Sequence, residues 1–401
     1  MKTSLVGLLV VLCLWVSGLG AEAHPYRVDY VAEFEPSRGA AQVTIRWGDG
    51  ADRLRRLELK THERMSGFQT NVQSSRDGEY LVLESLRPGA ELSYEVAIDS
   101  PRGDGVFDAR ITPQWAIWRG DDLVPAGKVR QLKDTEAEAF LTLKGPSGWT
   151  FKTPYEQLKD GRYRITNPAR SFDRPTGWMV GGRIGVRVEK IAGIQIAVAG
   201  PVGQDVRRMD LLALMNWTLP SLIEVLPDMP KRLLLVSARE GMWRGGLSAG
   251  NSLYLHADRP LISENGTSTL VHELVHVASG LRGADGADWI VEGFAEYYSL
   301  KLLRRSGGIS ERRFDRALDS LREWSEDAGP LDARRSTGPT TAKAALILHS
   351  LDLELQRKTG GRSSLDDVLR ALAKLDSPVT LAQLRQAQQM ISGSASQALK
   401  F

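Results

Sequence analysis

From residue 24 to about residue 185, apolar and polar positions alternate in short runs. Residues 43–47 (VTIRW), 80–83 (YLVL) and 92–96 (LSYEV) each send every second side chain to one face, the period of a half-buried strand. Turn formers such as Asp49-Gly50 and Pro88-Gly89 separate the runs. This spacing predicts many short strands in a sandwich or saddle-shaped sheet, with Trp115 and Trp118 read either as core or as a binding surface.

The pattern then changes. Residues 194–198, 233–236 and 252–256 read as strands, and 210–226 carries apolar residues at helical spacing, with Pro227-Asp228 closing it. Beyond residue 260 helices dominate. One spans 269–278, with Ser268 or Thr269 as cap and Gly280 at its end, and one spans 289–305, with Asp288 as N-cap. Four more are expected over 310–324, 341–357, 364–374 and 380–391. Ser364 with Asp367 and Thr380 with Gln383 form capping boxes, and Gly360-Gly361 breaks the chain between helices. The tail from Ser392 to Phe401 is expected to fray. The fold class is therefore α+β and multidomain: an all-β domain over 24–185, a mixed catalytic domain over 186–305 and a helical domain over 306–401.

Composition adds bounds. The chain has 401 residues, 42% of them hydrophobic and 25% charged, within the ordinary range for a soluble globular protein. A net charge of +3, with no long basic block, argues against a nucleic-acid partner. The opening segment has a positive start at Lys2, an apolar run over 5–19 and the small-x-small pattern Ala21-Glu22-Ala23. It reads as a signal peptide, residues 1–23, that leaves His24 first in a periplasmic or secreted chain with no stable membrane span after cleavage. An uncleaved anchor is the alternative, for which the run is short. Cys13, the only cysteine, falls inside that segment, so the mature chain would have no disulfide and would stand on its core.

The chemistry concentrates in HELVH, residues 272–276. Positions i and i+4 of a helix share a face, so His272 and His276 can hold one Zn²⁺ per chain. Glu273, beside the first histidine, can reach a metal-bound water without binding the metal. A third ligand must come from elsewhere and leave one position open. Glu292, one turn into the next helix, suits that role, though a glutamate in a first turn also interacts favourably with the helix dipole. Glu296, one turn further on, is read either as a partner that fixes a ligand histidine's tautomer or as a solvated helix position.

HELVH followed by WIVEGFAEYYS (289–299) resembles the gluzincin metallopeptidases, most closely the alanyl/leucyl-type aminopeptidases and the glycyl-aminopeptidase family. The likeness is sharp over 272–298. It extends more loosely to the glycine-rich segment before a strand and to the order of β, catalytic and helical domains. It implies a thermolysin-like catalytic domain, His272, His276 and Glu292 as zinc ligands, Glu273 as general base, and a peptide or protein as substrate. The intervening 277–291 is shorter than these families use, so the loop at 280–286 must be tight, which its glycines allow.

Two positions depart from the family. A tyrosine that stabilises the oxyanion there is matched here by Thr341, and no tyrosine follows Tyr298. Losing such a donor typically costs about 10²–10³ in rate. His349 is a candidate replacement, read otherwise as an ordinary helix histidine. In the segment Gly245, Gly246, Leu247, Ser248, the serine stands where the family has the glutamate that holds a substrate's free amino terminus. A serine cannot supply that charge, although the main chain of 246–248 can still pair with an extended peptide. The expected function is an exported zinc metallopeptidase, exo- or endo-acting. The alternative is a catalytically weak zinc-binding homologue that binds peptides or proteins in the cell envelope. His256 is read as a packed strand residue rather than a site residue.

Overall fold

The computed structural model describes residues 24–168 and 171–401. The expected signal segment 1–23, with Cys13, lies outside the described residues. Among these, no helix is long and apolar enough to cross a membrane.

Alternation produces the β-rich part as expected. Strand His24–Glu35 turns Tyr26, Val28, Tyr30, Ala32 and Phe34 inward, while intervening residues stay at least partly exposed. It pairs parallel with Thr135–Lys144 and antiparallel with Ala40–Trp47, near the centre of a seven-stranded sheet. The predicted runs at 43–47, 80–83 and 92–96 lie within strands Ala40–Trp47, Tyr80–Glu84 and Glu91–Ala97.

Trp115 and Trp118 are both core, but of different cores. Strands Trp115–Arg119 and Trp178–Gly182 pair antiparallel and are buried on both faces. Trp118 and Met179 face the β-rich core, where Trp118 lies 4.3 Å from the ring of Phe34. Trp115, Ile117, Trp178 and Val180 face the other way, onto Ala197, Leu234 and Tyr254 of the next sheet. A strand with two apolar faces loses its alternation, which is why 115–118 reads as a continuous apolar run.

That next sheet has the order Ile184–Ile191, Ile194–Pro201, Arg232–Ala238, Ser252–His256, Gly246–Ala249. The central three strands run parallel, and the two outer ones are antiparallel to their neighbours. Gly246–Ala249 is thus a short edge strand with one side unpaired. Eight helices lie among the described residues: α1 (Gly120–Leu123), α2 (Arg208–Val225), α3 (Thr269–Ser279), α4 (Asp288–Arg305), α5 (Glu311–Trp324), α6 (Gly338–Thr359), α7 (Leu365–Leu372) and α8 (Leu381–Ser392). Helices α2 to α8 share one large apolar core with the sheet.

Caps follow the sequence at most helix ends. The Ser268 hydroxyl accepts from Val271 N, Gly280 closes α3 in the left-handed conformation, and both capping boxes form. Three expectations are corrected. Asp288 is not an N-cap: Ala287 occupies that position, and the Asp288 carboxylate instead accepts from Ser336 N at 2.7 Å. Helix α6 begins at Gly338 rather than Thr341, because the Thr337 hydroxyl caps it and Pro339 suits its first turn. The tail is not frayed. The buried Glu354 carboxylate accepts from Ser396 Oγ, Gln397 N and Ala398 N, and Leu399 is buried.

Although burial opposes a charge on Glu354, Lys358 and these tail donors outweigh it and hold the carboxyl down at about 2. Its stabilising contribution is therefore complete above the unfolded value near 4.3 and is lost as pH falls toward 2. Glu354→Ala is expected to speed amide exchange selectively over 394–401 at neutral pH. In wild type a comparable loss of protection, taken relative to the intrinsic exchange rate at each pH, is expected only as pH falls toward 2, and equal tail protection in the two proteins at neutral pH would contradict this account.

Candidate metal centre and cleft

Two helices build the site. On α3, His272 and His276 project one turn apart from the same face, while Glu273 is buried beside them. On α4, Glu292 and Glu296 are likewise one turn apart and face α3. His272 Nε2 lies 3.1 Å from His276 Nε2 and 3.4 Å from Glu292 Oε2, and His276 Nε2 lies 3.5 Å from Glu292 Oε1. These are the one group of metal-competent side chains of this kind among the described residues.

The donor set fits a small divalent cation. Ligands at about 2.0–2.1 Å on a tetrahedron lie about 3.3 Å apart, the spacing found here, and three protein donors leave a fourth position open. Glu296 Oε2 accepts from His272 Nδ1 at 3.0 Å, which fixes the ring so that Nε2 points toward its partners. Glu296 is thus in contact with His272, and its side chain is largely shielded from solvent.

The electrostatics of these side chains follow from crowding. Burial works against charge on His272, but Glu292 and Glu296 outweigh it and hold its imidazolium well above the usual histidine range. His276 is pushed down to about 4 by burial and by the charge of His272. Burial raises Glu273, and the His272 charge and hydrogen bonds from Ser248 only partly offset it. Glu292 ends below its ordinary value, because the bond from His272 and the nearby imidazoles overcome burial.

Gly245, Gly246, Leu247 and Ser248 line the same cleft, of about 900 Å³, as His272, Glu273, His276, Glu292, Glu296 and Thr341. Edge strand Gly246–Ala249 passes so close to α3 that a Cβ on Gly246 would sit 2.6 Å from Thr269 Cγ2 and 2.9 Å from Glu273 Cγ. The tight loop between α3 and α4 is held by Ala284 N to Val379 O at 2.9 Å and Val379 N to Arg282 O at 2.7 Å. His349 does not reach the cleft; its ring packs on Tyr297 and Phe314. His256 is a packed strand residue, with Nε2 2.8 Å from Arg239 O and Nδ1 accepting from Asp258 N.

Other parts of the wall carry no motif. Arg102 comes from the β-rich part and stacks 3.7 Å over Trp243. Trp324, at the end of α5, and the segment Arg335, Ser336 and Thr337 complete the opposite side. The only sequence sign of Trp324 was a large apolar residue at the exposed end of an amphipathic helix.

No family model matches the chain, and no curated relative does. Solved structures do share its fold. An aminopeptidase N family protein from Idiomarina loihiensis superposes with a TM-score of 0.65 at 16% identity, covering 86% of this chain and 70% of that one. A point mutant of an M1 zinc metallopeptidase from Deinococcus radiodurans gives a TM-score of 0.60 at 17% identity, covering 94% of this chain and 93% of that one. The chain therefore has the α+β architecture of these proteins, with a β-rich N-terminal part and a helical C-terminal part.

Two outcomes follow from this geometry. Because a proton on His272 must leave before a cation binds, apparent zinc affinity is expected to climb about tenfold per pH unit below the His272 pKa and to flatten above it. Competition with a chromophoric chelator at several pH values measures this, and a pH-independent affinity would refute it. Gly246→Ala is expected to cost about 1–3 kcal/mol through overpacking against α3, seen as a lower Tm with unchanged far-UV dichroism.

Proposed function

We propose that this protein is an exported zinc-dependent metallopeptidase of gluzincin type. The observation that carries the reading is the convergence of His272, His276 and Glu292, with Glu273 beside them, in a cleft walled by an unpaired edge strand. The fold likeness to a zinc metallopeptidase and an aminopeptidase N family protein supports it. In this reading 186–305 is a thermolysin-like catalytic domain between the β-domain 24–185 and the helical domain 306–401. The periplasmic or secreted location rests on the sequence of residues 1–23.

His272, His276 and Glu292 would hold one Zn²⁺. The ion, when bound, supplies Lewis acidity and lowers the pKa of a water. Glu273 takes a proton from the attacking water and returns it to the leaving amine, a task for which burial, by raising its pKa, prepares it. Ser248 hydrogen-bonds Glu273 and orients it, while Glu296 keeps His272 in the tautomer that presents Nε2. The free side of Gly246–Ala249 offers main-chain groups to an extended peptide.

One observation favours the second reading, a weakly active peptide-binding homologue. Thr341 stands on the cleft wall, and no tyrosine lines that wall among the described residues. A single assay separates the two. Zinc-loaded protein is expected to cleave a mixed peptide library, and Glu273→Gln should keep one zinc per chain while lowering kcat by about 10²–10⁴. Glu292→Gln should lose the metal. Full zinc with turnover no greater than Glu273→Gln would establish the binding-protein reading.

A further inference from the structure

We propose that the cleft selects acidic peptides, through arginines at its mouth. The inference rests on the peptide-binding part of the reading above and specifies its substrate class.

Four arginines line the cleft, each from a different segment: Arg102, Arg259, Arg282 and Arg335. All four are exposed. The guanidinium groups of Arg259 and Arg335 have no carboxylate partner among the described residues. Arg282 donates once, to Asp376 O at 3.2 Å, which leaves its other N–H groups open. Arg102 is partly neutralised by Asp108 at 2.9 Å.

The carboxylates that share the cleft, Glu273, Asp288, Glu292 and Glu296, are engaged with other protein groups rather than with these arginines. Glu292 and Glu296 face the histidines, Glu273 accepts from Ser248, and Asp288 accepts from Ser336 N. Asp258, next to Arg259 in sequence, is shared by Arg239 and Arg244 at 3.0 and 3.6 Å. A substrate ammonium therefore meets no uncommitted anion, whereas a substrate carboxylate meets up to four guanidinium groups. Guanidinium forks bind carboxylates in pairs of parallel hydrogen bonds, and exposed guanidinium groups without a carboxylate partner raise the local concentration of anions around them.

The test uses three fluorescein-labelled peptides of equal length, with Glu, Gln or Lys flanking the central bond. Their binding to the zinc-loaded protein carrying Glu273→Gln is read by anisotropy. The Glu peptide is expected to bind at least about tenfold more tightly than the Gln peptide, and the Lys peptide more weakly than either. That preference should shrink between about 20 mM and about 300 mM salt. It should fall toward unity in R259Q/R335Q and return in R259K/R335K. Equal affinity for the Glu and Gln peptides, or a preference untouched by R259Q/R335Q, would overturn the proposal. Binding is scored without turnover, so failure of the wild type to cleave any peptide would sink the peptidase reading alone.

Discussion

The geometry of the histidine and glutamate group depends on a buried ion cluster that lies outside the cleft. Lys301, on α4, sits between Asp352 of α6 at 2.6 Å and Asp366 of α7 at 2.9 Å. The hydroxyls of Tyr297 and Tyr298 donate to the same two carboxylates, each at 2.7 Å, and Arg305 donates to Asp366 at 2.6 Å. Two cations face two anions, so the cluster is neutral, and both carboxylates are held below their ordinary values despite burial. Such a group is tolerable only complete, since a missing member leaves an uncompensated charge in the core at roughly 3–5 kcal/mol. It therefore fixes the rotation of α4, and that rotation is what turns Glu292 and Glu296 toward α3.

The site thus joins two kinds of order. Spacing along α3 sets the histidine pair locally, whereas the position of the glutamates is set from behind, by carboxylates of α6 and α7 that lie outside the cleft. The short loop 280–286, pinned to Val379, ties the two together and leaves little room for α3 and α4 to slide. His272 bridges them directly, with Glu296 at one ring nitrogen and Glu292 near the other. The electrostatics are correspondingly divided, with carboxylates committed inside and guanidinium groups left over at the mouth.

Much of this was legible in the chain because it is local. Period-two alternation located the strands, capping boxes fixed the starts of α7 and α8, and the i, i+4 spacing brought His272 and His276 to one face. What escaped the sequence depends on long-range partners. Asp288 has the composition of a cap, yet Ser336, distant in sequence, claims its carboxylate. The tail is polar and small, as frayed ends are, but Glu354 supplies an anion that collects its amides. The arginines of the cleft wall are scattered from 102 to 335 and carry no motif, so only the fold gathers them. Trp115 and Trp118 lie in between: burial was readable, but the division between two cores was not.

Gly246 has a further consequence. At Gly246, where the edge strand meets α3, there is no space for a side chain, so at that one position the wall is bare main chain. Main chain is alike for every residue, and this point of the cleft therefore offers only amide and carbonyl groups. Evolution has little to tune at such a point without dismantling it. Replacements are instead tolerated at the rim, among exposed residues such as Arg259 and Arg335 whose loss leaves the fold intact. The molecule thus separates a floor that admits almost no substitution from a margin where substitution costs the fold little.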